Sequence, residues 1–130
     1  MLIDDQKCFA CGKENPDGLQ LEFTYSNDGN SVKTTYVPPD KFQGWAGIVH
    51  GGIITTLLDE VMAKAAVHKG YRVLTGEITT RFKTPARTRE PLLCTARIEQ
   101  AGKKLLYVSG TAYNPNGEIV AQARSKMIIT

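Results

Sequence analysis

Leu19, Leu21, Phe23 and Tyr25 alternate with Gln20, Glu22 and Thr24. A period of two predicts a half-buried strand over 19–25. Asn15-Pro16-Asp17-Gly18 supplies turn chemistry ahead of it, and Asn27-Asp28-Gly29-Asn30 a turn behind it. Residues 31–37 are therefore expected to return as the second strand of a hairpin. Residues 38–50, PPDKFQGWAGIVH, hold two prolines and two glycines and have no clean period. A loop of that length inside a small domain is often functional. At Gly51 the pattern changes to that of a helix, which is predicted to run to His68 with Gly70 as its stop. Strand alternation resumes over 73–84, 92–99, 105–113 and 118–129, and Asn116-Gly117 is a hairpin signal between the last two.

The helix is apolar on almost every side: Ile53, Ile54, Leu57, Leu58, Val61, Met62, Ala63, Ala65, Ala66 and Val67. A helix with no polar face is expected to be buried. At 1.5 Å per residue it is ~27 Å long, which a single curved sheet can cover. The expected fold is α+β, one long buried helix wrapped by a curved antiparallel sheet of about six strands. No repeat, low-complexity segment or linker interrupts 1–130, so a single domain is expected. Such a sheet leaves its end strands unpaired, which favours pairing with a second copy, a homodimer at least.

With 42% hydrophobic and 22% charged residues the composition is that of an ordinary globular protein. A net charge of +3 suits an anionic small molecule without demanding nucleic acid, and no basic-aromatic surface stands out. No run approaches the ~18 uncharged apolar residues that span a bilayer. The N-terminus lacks the apolar stretch of a signal peptide, and three cysteines do not form an even disulfide framework. A cytoplasmic protein with neither membrane nor nucleic-acid partner is expected.

Two acids interrupt the apolar helix. Glu60 has Lys64 four residues on, the favourable order for an ion pair worth a few tenths of a kcal/mol. Asp59 has Thr55, Thr56, Met62 and Ala63 at its helical neighbour positions, and none is a cation. A carboxylate in a buried segment is costly unless it is satisfied or the site is wet. Either a distant cation such as Arg81 or Arg124 pairs with it, or it is a general base or nucleophile beside a cleft. His50-Gly51-Gly52 at the helix start favours the second reading. Amides there lack intrahelical acceptors, the helix dipole adds positive charge, and glycine admits a ligand to the backbone. Gly51 is a candidate oxyanion donor, with Gly52 beside it. Asp59 lies eight residues beyond, ~12 Å along the axis, too far for both to touch one carbonyl in one chain. Two copies side by side remove that difficulty.

Together, GIVHGGIITTLLDE, the following LTGEITTRFKTPA and the alternating strands resemble the hotdog-fold acyl-CoA thioesterases of the phenylacetic-acid-degradation type, from Cys8 to Ile129. The resemblance implies hydrolysis of an acyl-CoA at a site assembled across a dimer, with a dimer of dimers (a homotetramer) left open. It assigns Asp59 as general base or nucleophile and the Gly51 amide as the group that polarises the thioester carbonyl. Thr75 occupies the position that orients water or substrate. An Asn or Gln common six residues before the motif histidine is replaced by Gly44; either the adjacent Gln43 fills the role through a register shift or the role is absent. His50 is read first as shaping the turn into the helix and second as a proton shuttle. Neither a cofactor nor a metal is required. The rival reading is a non-catalytic acyl-CoA-binding module, a sensor or scaffold, which needs no unpaired carboxylate.

Coenzyme A carries several phosphate charges. Arg81, Lys83, Arg87 and Arg89 cluster within nine residues and some are expected to grip them, unless they serve only as solubilising surface. Trp45, in the loop before the helix, either covers the acyl chain or packs at an interface. Cys8-Phe9-Ala10-Cys11-Gly12 invites a zinc reading, but four ligands are needed and a second pair is missing. Four cysteines from two copies remain an alternative. A structural N-terminal segment, part of a C-x-x-C-G…N-P-x-G-L element that recurs in the resembled group, is the preferred reading.

Overall fold

The alternation beyond residue 73 becomes four long strands. In the computed structural model, which describes residues 2–130, the elements are β1 (Thr24–Tyr25), β2 (Ser31–Tyr36), α1 (Gly51–His68), β3 (Val73–Phe82), β4 (Leu92–Ala101), β5 (Leu105–Tyr113) and β6 (Ile119–Ile129). All strand pairs are antiparallel, in the sheet order β1-β2-β4-β5-β6-β3. Register shifts in β3, β4 and β5 add local twist, and the sheet curves around α1. The connection from β2 through α1 spans the sheet, so β3 forms its far edge. No helix among the described residues is long and apolar enough to cross a membrane.

Two expectations need correction. The strand predicted over 19–25 shrinks to Thr24–Tyr25. Gln20 has φ +52, a left-handed conformation that breaks the extended run. The Leu19 and Leu21 amides instead donate to Phe9 O and Ala10 O, at 2.7 and 3.0 Å. Leu21 stays buried, so the alternation marks burial there without marking a strand. The helix is also not covered all round. Ile54, Leu57, Leu58, Val61, Met62, Ala65 and Ala66 are buried against the sheet. Gly52, Thr56, Asp59, Ala63 and Val67 fall on the opposite side and are half-buried or exposed.

The core lies between α1 and the inward residues of β2, β4, β5 and β6, among them Val32, Leu92, Cys94, Leu106, Val108, Val120 and Met127. Gly110 on β5 is there because the helix comes close. A Cβ on it would sit 3.1 Å from Met62 Cγ and 3.2 Å from Thr95 O. Leu57 and Leu58 have no exposed surface, and truncating either to Ala is expected to cost about 2–5 kcal/mol.

Candidate functional site

Gly51, Thr55 and Asp59 are spaced by four and share one line of α1. The inward residues of β3 run antiparallel beside that line. The Phe82 ring lies 3.3 Å from where a Gly51 Cβ would be. Thr55 and Thr80 hydroxyls are 3.2 Å apart. Thr75 Oγ1 donates to Asp59 Oδ1 at 2.7 Å. Thr55, Thr80 and Phe82 are not among the expected site residues; the period-two spacing of Thr80 and Phe82 on β3 is the sequence signal that could have found them.

Asp59 is half-buried and has no counter-charge among the described residues, where the ion pairs are Arg89–Asp40, Arg97–Glu99 and Lys126–Glu77. Arg81 and Arg124 do not reach it. Thr80 faces the helix, so Arg81 next to it faces outward, and both arginines line a groove of about 1000 Å³ with Glu77, Glu99 and Lys126. That groove contains neither Asp59 nor Gly51.

His50 caps α1. Its backbone is extended (φ −60°, ψ 133°) and its Nδ1 accepts from the Gly52 N–H at 2.9 Å. His50 O accepts from the Ile53 and Ile54 amides at 2.9 and 3.3 Å. The Gly52 amide is therefore spent on the cap. The Gly51 amide makes no hydrogen bond among the described residues and is the first free donor of the helix N-terminus.

The loop before α1 is built to present that amide. It begins with a 3₁₀ turn, Asp40–Phe42. Gln43 Oε1 accepts from the Gly47 N–H at 3.0 Å, Gly47 has φ +75, and the His50 N–H donates to Phe42 O at 2.9 Å. Val49 N–H donates to Ala86 O at 2.8 Å, and Ile48 bridges to Arg87, so the loop is stitched to the chain that leaves β3. Arg89 pairs with Asp40 across the same seam, and its guanidinium holds the Asp40 carboxyl below the usual range. Trp45, 86% exposed, projects from the loop. It lines a groove of about 790 Å³ with Ile48, Gly51, Ile54, Phe82 and Lys83. His50 borders the same groove; Gln43 and Arg87 do not line it, and Arg87 is exposed nearby.

The predicted residues thus fall into two clusters. One is a carboxylate held by a hydroxyl, Asp59 with Thr75. The other is a free amide above an apolar groove with a lysine at its rim: Gly51, Trp45 and Lys83. About 12 Å of helix separates them. The structure also reassigns Glu60. Its pairing with Lys64 is not formed within ion-pair distance, and its Oε1 lies 4.0 Å from Cys8 Sγ. Burial, then the Glu60 carboxylate, pushes the Cys11 thiol up to about 12.

Mouse acyl-coenzyme A thioesterase 13 is 31% identical over 81 residues, 60% of this chain and 58% of the mouse protein; the chain thus spans less than two thirds of that relative. A solved thioesterase superfamily protein is 25% identical, with a TM-score of 0.87 over 95% of this chain and 60% of the other. A phenylacetic acid degradation-related protein from Ralstonia eutropha JMP134 is 26% identical, with a TM-score of 0.76 over 85% of each chain. The family described as the thioesterase superfamily matches residues 46–121, a span that holds Gly51, Asp59 and Thr75. With its hotdog arrangement of one helix in a six-stranded antiparallel sheet, the chain belongs to the thioesterase superfamily.

Proposed function

We propose that the protein hydrolyses an acyl-CoA thioester to a free acid and coenzyme A, at a site shared by two copies in a homodimer. The observation that carries this is Asp59: among the described residues, a carboxylate without a counter-charge, held by Thr75, on the half-open face of α1 beside the unpaired edge of β3. A carboxylate kept only for structure would be expected to have a cation. The family membership and the name of the mouse relative support the same reaction class.

In this reading Asp59 either takes a proton from a water that attacks the thioester carbonyl, or attacks the carbonyl itself to give an acyl-Asp59 anhydride that water then hydrolyses to the free acid; Thr75 fixes the carboxylate. Negative charge developing on the carbonyl oxygen meets the Gly51 N–H of the second copy, where a free amide and the helix dipole stabilise it. The coenzyme A thiolate leaves and is protonated by solvent. The acyl chain lies in the groove under Trp45 and Phe82, with Lys83 at its rim and Arg87 exposed nearby for phosphate. Arg81, on the outer face of the sheet, serves a phosphate only where that face is reached by the nucleotide.

The test is steady-state hydrolysis of short, long and aryl acyl-CoAs by the wild type and by Asp59→Asn. Turnover by the wild type and its loss in the variant, with coenzyme A binding kept, is the expected result. Coenzyme A binding without turnover of any acyl-CoA would favour the non-catalytic module. Undiminished turnover by the variant would remove Asp59 from the chemistry.

A further inference from the structure

The Cys8–Cys11 turn meets the central helix on the side away from β3. Successive helix residues point ~100° apart, so Asp59 faces the strand edge and Glu60 faces the N-terminal segment. Cys8 Sγ, Cys11 Sγ and a Glu60 carboxylate oxygen all lie within 4.8 Å of one another. We propose that Cys8, Cys11 and Glu60 form a binding site for a thiophilic divalent cation of the zinc type, with its fourth position open to water.

The turn is rigid before any ion arrives. The Gly12 N–H donates to Cys8 O at 2.8 Å and the Glu14 N–H to Gln6 O at 2.9 Å. A Cβ on Gly12 would fall 2.4 Å from Gln6 O and 2.5 Å from Cys8 N, so the turn requires glycine at that place. From outside, Leu19 and Leu21 amides bond to Phe9 O and Ala10 O, and Asn15 Nδ2 to Lys7 O at 3.1 Å. Ala10 is buried in the core. This scaffold sets both sulfurs toward one point, while Glu60 is carried by the longest rigid element of the fold.

The chemistry of the donors fits. Zinc binds thiolate sulfur at ~2.3 Å and carboxylate oxygen at ~2.0–2.2 Å, which puts ligand atoms in a tetrahedral set roughly 3.5–3.8 Å apart. The observed Cys8 Sγ–Glu60 Oε1 separation is 4.0 Å. Closing on an ion therefore needs side-chain shifts of about 1 Å, not a backbone change. Binding displaces two thiol protons. Two thiolates and a carboxylate bring three negative charges against two positive, and Lys64, one helical turn beyond Glu60 and facing Cys11, offsets the remainder. A Cys-x-x-Cys alone falls two ligands short; Glu60 raises the count to three, the number found where zinc keeps one open position.

The experiment uses the full chain, reduced and stripped with a chelator, titrated with cobalt(II) and then with zinc(II). One cobalt per chain is expected, with thiolate-to-cobalt charge transfer and the intense visible bands of a tetrahedral site, displaced by zinc. Zinc is expected to raise the melting temperature. Outer-shell partners alone are worth 10–100-fold in metal affinity, so Cys8→Ser and Cys11→Ser should each weaken binding by about a hundredfold or more. Glu60→Gln, which keeps size and shape, should weaken it by at least about tenfold, and Cys94→Ser should leave it unchanged. Melting curves without metal establish that each variant folds. Absence of the charge-transfer band overturns the proposal, and so does full affinity in Glu60→Gln. One ion per two chains with Glu60 dispensable would place four cysteines at an interface instead and would equally overturn it.

Discussion

Among the described residues the Asp59 carboxylate has one hydrogen bond, from Thr75, and no cation to neutralise it. Groups that transfer protons in a transition state are worth roughly 10²–10⁴ in rate, so Asp59→Asn is expected to lower kcat by that order with little change in melting temperature. Thr75→Ala removes a single charge-assisted hydrogen bond, about 1.4 kcal/mol or tenfold in kcat, and Thr75→Ser should restore it. Gly51 permits a cleaner test than a backbone amide usually offers. Proline is well tolerated at the first helical position, and His50 already has the extended ψ of 133° that a following proline demands. Gly51→Pro deletes the N–H, and Gly51→Ala adds the same Cβ against Phe82 while keeping it. Loss of about 10²–10³ in kcat for proline and much less for alanine is the expected pattern; equal losses would point to the Phe82 contact and dismiss the amide. These roles were unequally legible. Asp59 was visible because a helix carboxylate without a cation at i±3 or i±4 is a local anomaly. Thr75 came only through resemblance, since nothing in the spacing of residues 59 and 75 shows that they touch. Glu60 was misleading: Lys64 at i+4 supplied a sufficient local partner, and cysteines some 50 residues earlier leave no trace in a helical period.

At the scale of elements, α1 was readable to its ends because its signals are local: a cap, two glycines, an apolar run and a terminal Gly70. His50→Ala should cost about 1 kcal/mol through the lost cap, a fall of roughly 3–6 °C in Tm for a chain of this size, measurable by calorimetry. The sheet was readable strand by strand but not in its order, because neighbours such as β2 and β4 are separated by the whole helix. β1 was overread because alternation reports burial, and the left-handed Gln20 that ends extended pairing is invisible to it. Within β4, Cys94 has no exposure, and burial pushes its thiol from 9.0 up to about 12. Its folded-state pKa is raised, so the stability it contributes is complete below pH 9 and is lost as pH climbs from about 9 through about 12. Urea unfolding at pH 8 and pH 11 should therefore show the wild-type advantage over Cys94→Ala shrinking at the higher pH. A constant difference would mean that folding leaves the Cys94 thiol's pKa unshifted.

At the scale of the whole molecule, β3 is the feature that one copy leaves unfinished. It is ten residues long, lies at the sheet edge and has no partner on its outer side among the described residues, with Leu74 and Phe82 exposed along it. Gly52, Thr56, Asp59, Ala63 and Val67 form the uncovered face of α1 alongside. A second copy docked antiparallel on this edge would cover both and place the Asp59 of each chain near the Gly51 of the other, which one chain cannot do across ~12 Å. Light scattering should accordingly report about twice 14.3 kDa, or four times it for a dimer of dimers. The sharper test mixes two inactive proteins, Asp59→Asn and Gly51→Pro, after unfolding and refolding together. In a shared-site dimer the mixed species has one site with both defects and one with neither, because the intact Asp59 and the intact Gly51 come from different chains. At equal concentrations half the dimers are mixed, so about a quarter of wild-type activity should return. If both groups served one site within one chain, every site would keep a defect, and no mixture would recover activity.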